Sequence, residues 1–259
     1  MLTGQPIEML RLGVLAAAAS VVVVVVVIVA RRRKAPRLRL ALWHDGASDL
    51  AALATLLDGV ALVEVDATRE APDALVAAAR RFDGVVVAGS AAAARSKEPG
   101  AAAFRGAVAA AVAAGAPVLG LGHGHCVVAA ALGGRVAPLR GGPFAGRRTV
   151  ALNELGAALL GGAPGDAYDL PHDHNDCVPR LPPGAASLSS GDPVRTPFVL
   201  AAAFWRDRAT ALAFRGGDAG APRPGAVTCQ LAPCDAGDAR AFLARCVASL
   251  WPTSHVSIR

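Results

Sequence analysis

Aromatic side chains are scarce in this 259-residue chain. Phe, Trp and Tyr make up 4% of it, and there is a single tyrosine. An aromatic-rich core is excluded, so packing must come from Ala, Val and Leu, in line with a hydrophobic content of 54%. Charge is thin as well, at 18%. That composition excludes long disordered stretches, which need high charge and low hydropathy. The positive excess is missing from most of the chain. Net charge is +6, yet residues 1–39 hold seven basic side chains against one acid, Glu8, and residues 40–259 hold 19 of each sign. A neutral domain has no electrostatic footprint for a phosphate backbone, so nucleic acid is excluded as a partner. The five cysteines (Cys126, Cys177, Cys229, Cys234, Cys246) follow no regular spacing. They form no disulfide framework, and their odd number indicates reduced thiols facing the cytosol.

The longest uncharged run lies near the N-terminus. Leu12–Ala30 spans 19 residues, and Val21–Val29 is β-branched throughout. At ~1.5 Å per residue the run makes roughly 28 Å of helix, close to the ~30 Å hydrocarbon core. In lipid a helix satisfies its own backbone, which overrides β-propensity. Six basic residues follow the run and Arg11 alone precedes it. The positive-inside tendency therefore places residues 31–259 in the cytosol, and the same cluster suits anionic headgroups. The expected organisation is a tail over 1–11, a transmembrane anchor over 12–30, a basic linker over 31–37, a domain over 38–250 and a tail over 251–259. The alternatives are a cleaved signal peptide, or a cytosolic protein whose gene start was misplaced. A signal peptide carries its basic residues before the apolar stretch, the reverse of the order here.

From Leu38 onward, short apolar runs alternate with Ala-rich helical stretches. Strands are expected at Leu38–Trp43, Val60–Val65, Gly84–Ala88 and Ala116–Leu121. Helices are expected at Ala47–Leu57, Pro72–Arg81, Ala102–Ala114 and Cys126–Leu132. This alternation predicts an α/β fold with a mostly parallel sheet covered by helices on both faces. After Gly134 the pattern shortens, with strands expected at Arg147–Leu152, Ala185–Ser189, Phe198–Phe204 and Ala209–Phe214, then a closing helix over Ala236–Leu250. In such a sheet ligands bind at the carboxyl ends of the strands. Two ends stand out there: Gly89-Ser90, and Gly120-Leu121-Gly122-His123-Gly124-His125-Cys126. The second has the layout of a nucleophile elbow, a tight strand-to-helix turn that lifts one residue to a helix N-terminus.

Those residues carry a resemblance. DGVVVAGS over 83–90, PVLGLGHGHCVVAAALGGRV over 117–136, HNDCVPRLPPGA over 174–185 and the stretch 209–214 resemble, in order and spacing, the class I glutamine amidotransferase domain. The nearest likeness is to plant γ-glutamyl peptidases and similar stand-alone proteins. The resemblance implies a flavodoxin-like core, no cofactor and, in active members, hydrolysis of a γ-glutamyl amide by a Cys-His-Glu triad. It also implies an oxyanion pocket at the amides of Gly89 and His123, with Gly124, His125, His174 and Asp176 around it.

The chain departs from that pattern where the chemistry happens. Gly122 occupies the nucleophile position. The base and its orienting acid are expected at Arg215 and Gly217, and no histidine lies between His174 and His255. Acyl transfer needs a nucleophile within reach of a base, so the triad is absent as a unit. Cys126, one helical turn further on, is the possible substitute, and is expected to pack under the elbow as a small hydrophobe. His172-Asp173-His174-Asn175-Asp176-Cys177 mimics a zinc-hydrolase run, but the further histidines such a site needs are lacking. The expectation is no metal and a polar loop lining the old pocket. Three readings follow: a membrane-tethered binding or regulatory pseudoenzyme for a γ-glutamyl or similar amide, with its protein partner unspecified; an active hydrolase using Cys126 or an unrecognised metal; or a degenerate gene product.

Overall fold

A computed structural model describes residues 38–45, 53, 60–89, 91–190, 199–204, 224–230 and 237–251. The expected anchor and linker over 12–37, the helix Ala47–Leu57 (apart from Leu53), the strand Ala209–Phe214, and Ser90, Arg215 and Gly217 lie outside the described residues. Among the described residues no helix is long and apolar enough to cross a membrane.

The strands of the main sheet are β1 (Leu38–His44), β2 (Val60–Asp66), β3 (Gly84–Val87), β4 (Val118–Leu121), β9 (Ala185–Ser187), β11 (Ala201–Phe204) and β12 (Ala226–Cys229). They run in the order β2-β1-β3-β4-β12-β11-β9. The first five are mutually parallel; β11 pairs antiparallel with β12, and β9 antiparallel with β11 at the edge. The fold is thus mixed α/β around a mostly parallel sheet. β3, β4, β11 and β12 are buried along their whole length. That is why they read as unbroken apolar runs rather than alternating ones.

The helices are α1 (Pro72–Ala79), α2 (Ala91–Arg95), α3 (Pro99–Ala113), α4 (His123–Ala131), α5 (Glu154–Leu160) and α6 (Gly237–Leu250). Pro72 and Pro99 stand in the first turn of their helices, where a missing N–H costs nothing. Asn153 caps α5, its side chain accepting from the Gly156 amide at 2.8 Å. Two apolar cores flank the sheet. One gathers Leu40, Leu42, Val86, Leu119, Val227 and the inner face of α6. The other gathers Trp43, Val85, Val87, Phe104, Val127 and Phe204 beneath α1–α4. Neighbouring residues of one strand feed opposite cores, so both faces are covered.

Beyond α4 lie two further sheets. β10 (Ser189–Ser190), β6 (Phe144–Leu152) and β7 (Ala167–His174) form one, and β5 (Arg135–Pro138) pairs with β8 (Asp176–Arg180) in the other. Here the structure corrects the expected polar loop. His172–Cys177 is two strands joined at Asn175, with His172, His174 and Asp176 facing inward. Alternation along β7, exposed at Asp169 and Asp173 and buried at Leu170, His172 and His174, places both histidines on the covered face. Trp251 is buried, and its indole donates to the Asp83 carbonyl at 2.7 Å.

Candidate functional site

Three parallel strands deliver their carboxyl ends to one place: β3 into Gly89, β4 into Gly122 and β12 into Gln230. Gly122 joins β4 to α4 with φ +56° and ψ −123°. This combination is open to glycine and strained for any residue with a Cβ. Its amide donates to the Cys229 carbonyl at 3.0 Å, and its own carbonyl accepts from the His125 amide at 3.1 Å. The elbow is therefore pinned to β12 on one side and closed into the helix on the other. α4 begins at His123, one turn earlier than the apolar pattern indicated, because the two histidines interrupt that pattern without interrupting the helix. Gly124 lets α4 lie directly on β3, since a Cβ there would stand 1.8 Å from the Val87 carbonyl oxygen. Gly89 packs against the same helix, its Cβ position 3.1 Å from Val127.

His125 is fully buried and serves as a brace. Its Nε2 donates to the Val199 carbonyl at 3.0 Å, which leaves Nδ1 to accept from Thr228 Oγ1 at 2.8 Å. Burial holds its pKa down at about 4, so the ring is neutral at physiological pH. It ties α4 to β12 and to the segment leading into β11, with no nitrogen left for a proton transfer.

Cys126 is fully buried. Burial, with the Asp176 carboxylate and Cys177 beside it, pushes its thiol well above the ordinary range despite the opposing Arg95 charge. A thiol so placed is protonated and inaccessible, the opposite of an activated nucleophile. Its Sγ lies 3.8 Å from Gln230 Nε2. That amide nitrogen also donates to the Asp176 backbone carbonyl at 2.6 Å. The same carbonyl accepts from His174 Nδ1 at 2.9 Å, which fixes the ring's tautomer.

The rings of His172 and His174 meet edge to face, with centroids 5.4 Å apart. Burial lowers the pKa of both, His172 to about 3. Neither ring nitrogen of His172 has a hydrogen-bond partner among the described residues, and the same holds for His123 Nε2. Electrostatic coupling links His174 to His123 and His172 to His125, so four of the chain's six histidines gather beside the elbow. No three His, Cys, Asp or Glu side chains stand at ligating separation among the described residues. Sequence reasoning passed over Gln230, Thr228 and Arg95. The first two belong to β12 and the residue after it, a short strand between Pro-rich stretches, and Arg95 carries no pattern that sets it apart from a solvated charge.

No family model matches the chain, and no curated protein matches it. Solved structures do. A GMP synthase component from Thermoplasma acidophilum is 16% identical at a TM-score of 0.58, covering 83% of this chain and 94% of that one. A glutamine amidotransferase from Thermotoga maritima is 15% identical at 0.55, covering 76% of each. A ThuA-like protein from Bacteroides uniformis is 10% identical at 0.54, covering 87% and 96%. The chain has the class I glutamine amidotransferase-like fold.

Proposed function

We propose that this protein is a catalytically degenerate class I glutamine amidotransferase-like domain that binds a γ-glutamyl or related amide, tethered to a membrane through residues 12–30 with the domain in the cytosol. One observation carries the reading. The elbow backbone is kept at Gly122 while the side chain that would attack is missing. The inert environment of Cys126 supports it, because the nearest thiol is a buried, protonated one.

The missing base is better sought after β12 than at Arg215 and Gly217. A base must come within hydrogen-bond reach of the elbow side chain, and the elbow amide is bonded to Cys229. The next residues are Gln230-Leu231-Ala232-Pro233-Cys234. At the two-residue spacing of Arg215 and Gly217, Ala232 and Cys234 stand for base and orienting acid, and neither is a histidine or a carboxylate. Either placement leaves the site without an imidazole base.

The test is γ-glutamyl peptide hydrolysis by the full chain. The native protein is expected to show no turnover above background. Gly122→Cys alone supplies a thiol near its free pKa of ~8.5, mostly protonated at neutral pH and without a base. Gly122→Cys with Ala232→His and Cys234→Glu is expected to form an acyl-enzyme detectable by mass spectrometry, whereas Gly122→Cys with Arg215→His and Gly217→Glu is not. Turnover by the native chain that Cys126→Ser abolishes would overturn the reading.

A further inference from the structure

We propose that the amino end of the parallel sheet is a docking face for an anionic lipid bilayer, with Arg39, Arg80, Arg81, Arg135 and Arg180 meeting the headgroups and the elbow held on the far side. The proposal rests on the membrane tether read from residues 12–30 and assigns the orientation of the tethered domain.

Chain reach limits where the domain can sit. The linker over 31–37 has seven residues, which extend to at most about 25 Å. A domain the size of 38–250 has a radius of gyration of roughly 17 Å, so the linker is shorter than the domain is wide. It joins at Leu38, the first residue of β1. Leu38 stands at the amino end of the sheet, and the pairing register identifies what stands with it. Leu40 lies beside Gly84, Val85 beside Val118, Val118 beside Ala226, Ala226 beside Phe204 and Phe204 beside Ala185. The elbow is at the other end. The seven residues of β1 put roughly 20 Å between the two ends.

Positive charge gathers at the amino end. α1 and α3 each lie between two parallel strands, so they run against the strands and finish there. Arg80 closes α1 and Arg81 follows it. Arg39 holds its guanidinium 5.5 Å from the ring of half-buried Phe82. α4 runs the same way. Just past it, the Cβ position of Gly134 lies 3.0 Å from Pro182, three residues before Ala185. Arg135 and Arg180, beside them, are direct cross-strand partners on β5 and β8. Both are exposed, and like charges directly opposite repel unless an anion stands between them.

Arg80, Arg81, Arg135 and Arg180 have no ion-pair partner among the described residues. Over 79–84, 113–117, 131–135 and 180–185 the only acid is Asp83, which accepts from the Arg39 amide at 2.7 Å. Where β2 leads into α1, at the opposite end, the balance is reversed, with Asp66, Glu70 and Asp73 against Arg69. The zero net charge of residues 40–259 thus conceals a local excess at one end. Guanidinium groups fit phosphate and carboxylate in two-pronged contacts. A bilayer bearing anionic lipid presents both groups as an array wide enough to meet separated arginines at once, and it attracts basic segments held close to it. The linker holds this end close.

The test is hydrogen–deuterium exchange, read by mass spectrometry, on the full chain inserted in nanodiscs. One set is phosphatidylcholine alone and the other a two-to-one mixture with phosphatidylserine. Peptides covering 80–83, 132–135 and 180–182 are expected to exchange at least threefold more slowly in the mixed discs. Peptides covering 122–126 at the elbow should exchange equally in both. One molar salt, with a Debye length of ~3 Å, should remove the difference. So should the combined variant Arg80→Gln, Arg81→Gln, Arg135→Gln and Arg180→Gln, with exchange in buried β3 and β4 unchanged as the check on folding. Equal exchange of the native chain in the two discs, or protection at 122–126 in place of the amino end, overturns the docking face and leaves the tether standing. Full protection retained in the folded variant overturns it as well. A native chain that does not enter the discs overturns the tether and the docking face together.

Discussion

Gly124 and Gly106 are both helical glycines, and their surroundings set them apart. A Cβ at Gly124 would meet the Val87 carbonyl oxygen at 1.8 Å, whereas one at Gly106, on α3, meets nothing within 4 Å. Gly124→Ala must push α4 off β3 or bend the strand, an overpacking cost of about 3 kcal/mol or more. Gly106→Ala removes only a flexible residue from an exposed helical position and should stabilise by ~0.5–1 kcal/mol. Thermal melting reads the contrast directly. For a domain of this size, Gly124→Ala is expected to lower Tm by on the order of 10 °C, with Gly106→Ala raising it slightly. Equal Tm values for the two variants would show that α4 does not rest on β3 as described. Gly122 answers to a different constraint. Its φ of +56° is a backbone demand that glycine meets without strain and that a Cβ meets only at some cost.

The element that decides the site's response to acid is β7, with α4 opposite it. His172 and His174 on β7 and His125 on α4 are buried and neutral, their pKa values lowered chiefly by burial. In the unfolded chain each takes a proton near pH 6.5, so below that pH the unfolded state binds more protons than the folded one. Stability is complete above about pH 6.5 and is lost as pH falls toward about 4 for His125 and about 3 for His172. For His125 alone the full shift is worth about 3 kcal/mol at 1.36 kcal/mol per unit. Melting curves between pH 7 and pH 4 are expected to show a steep fall in Tm. His172→Phe should flatten it, since Phe fills the site and removes a ring whose nitrogens have no hydrogen-bond partner among the described residues. An unchanged pH slope in His172→Phe would place the acid sensitivity elsewhere. Much of this element escapes a reading of pattern. His172–Cys177 carries loop-like composition, and it becomes strand through pairing with β6 and β5, partners distant in sequence.

For the whole molecule, the uneven charge is the informative quantity. All of the net charge of +6 lies within residues 1–39, against a balanced remainder. The proposed membrane anchor would account for both the uncharged run over 12–30 and the cluster that follows it. Carbonate extraction of membranes from expressing cells is expected to leave the full chain in the pellet and to release a variant beginning at Leu38. Release of the full chain would show that residues 12–30 do not span a bilayer. The two cores flanking the sheet are made of Ala, Val and Leu with a few large residues, among them Trp43, Phe104, Phe204 and Phe242. Small residues, Gly124 above all, let α4 lie close on the sheet over the ends of β3 and β4.

Local pattern was enough for the sheet's parallel half. β1, β3 and β4 are legible because a strand covered on both faces is apolar nearly throughout, and α1 and α3 are legible beside them. The elbow is legible because glycines crowd a tight turn. Pattern was not enough for β12, four residues that sit between β4 and β11 and bring Thr228 and Gln230 to the site. Its identity as a central strand comes from hydrogen bonds to β4, more than 100 residues earlier in the chain. The inertness of Cys126, the brace at His125 and the meeting of Asp176 with Arg95 have the same origin. Burial and charge partners are set by which elements touch, and a residue's neighbours in space are not written in its neighbours along the chain.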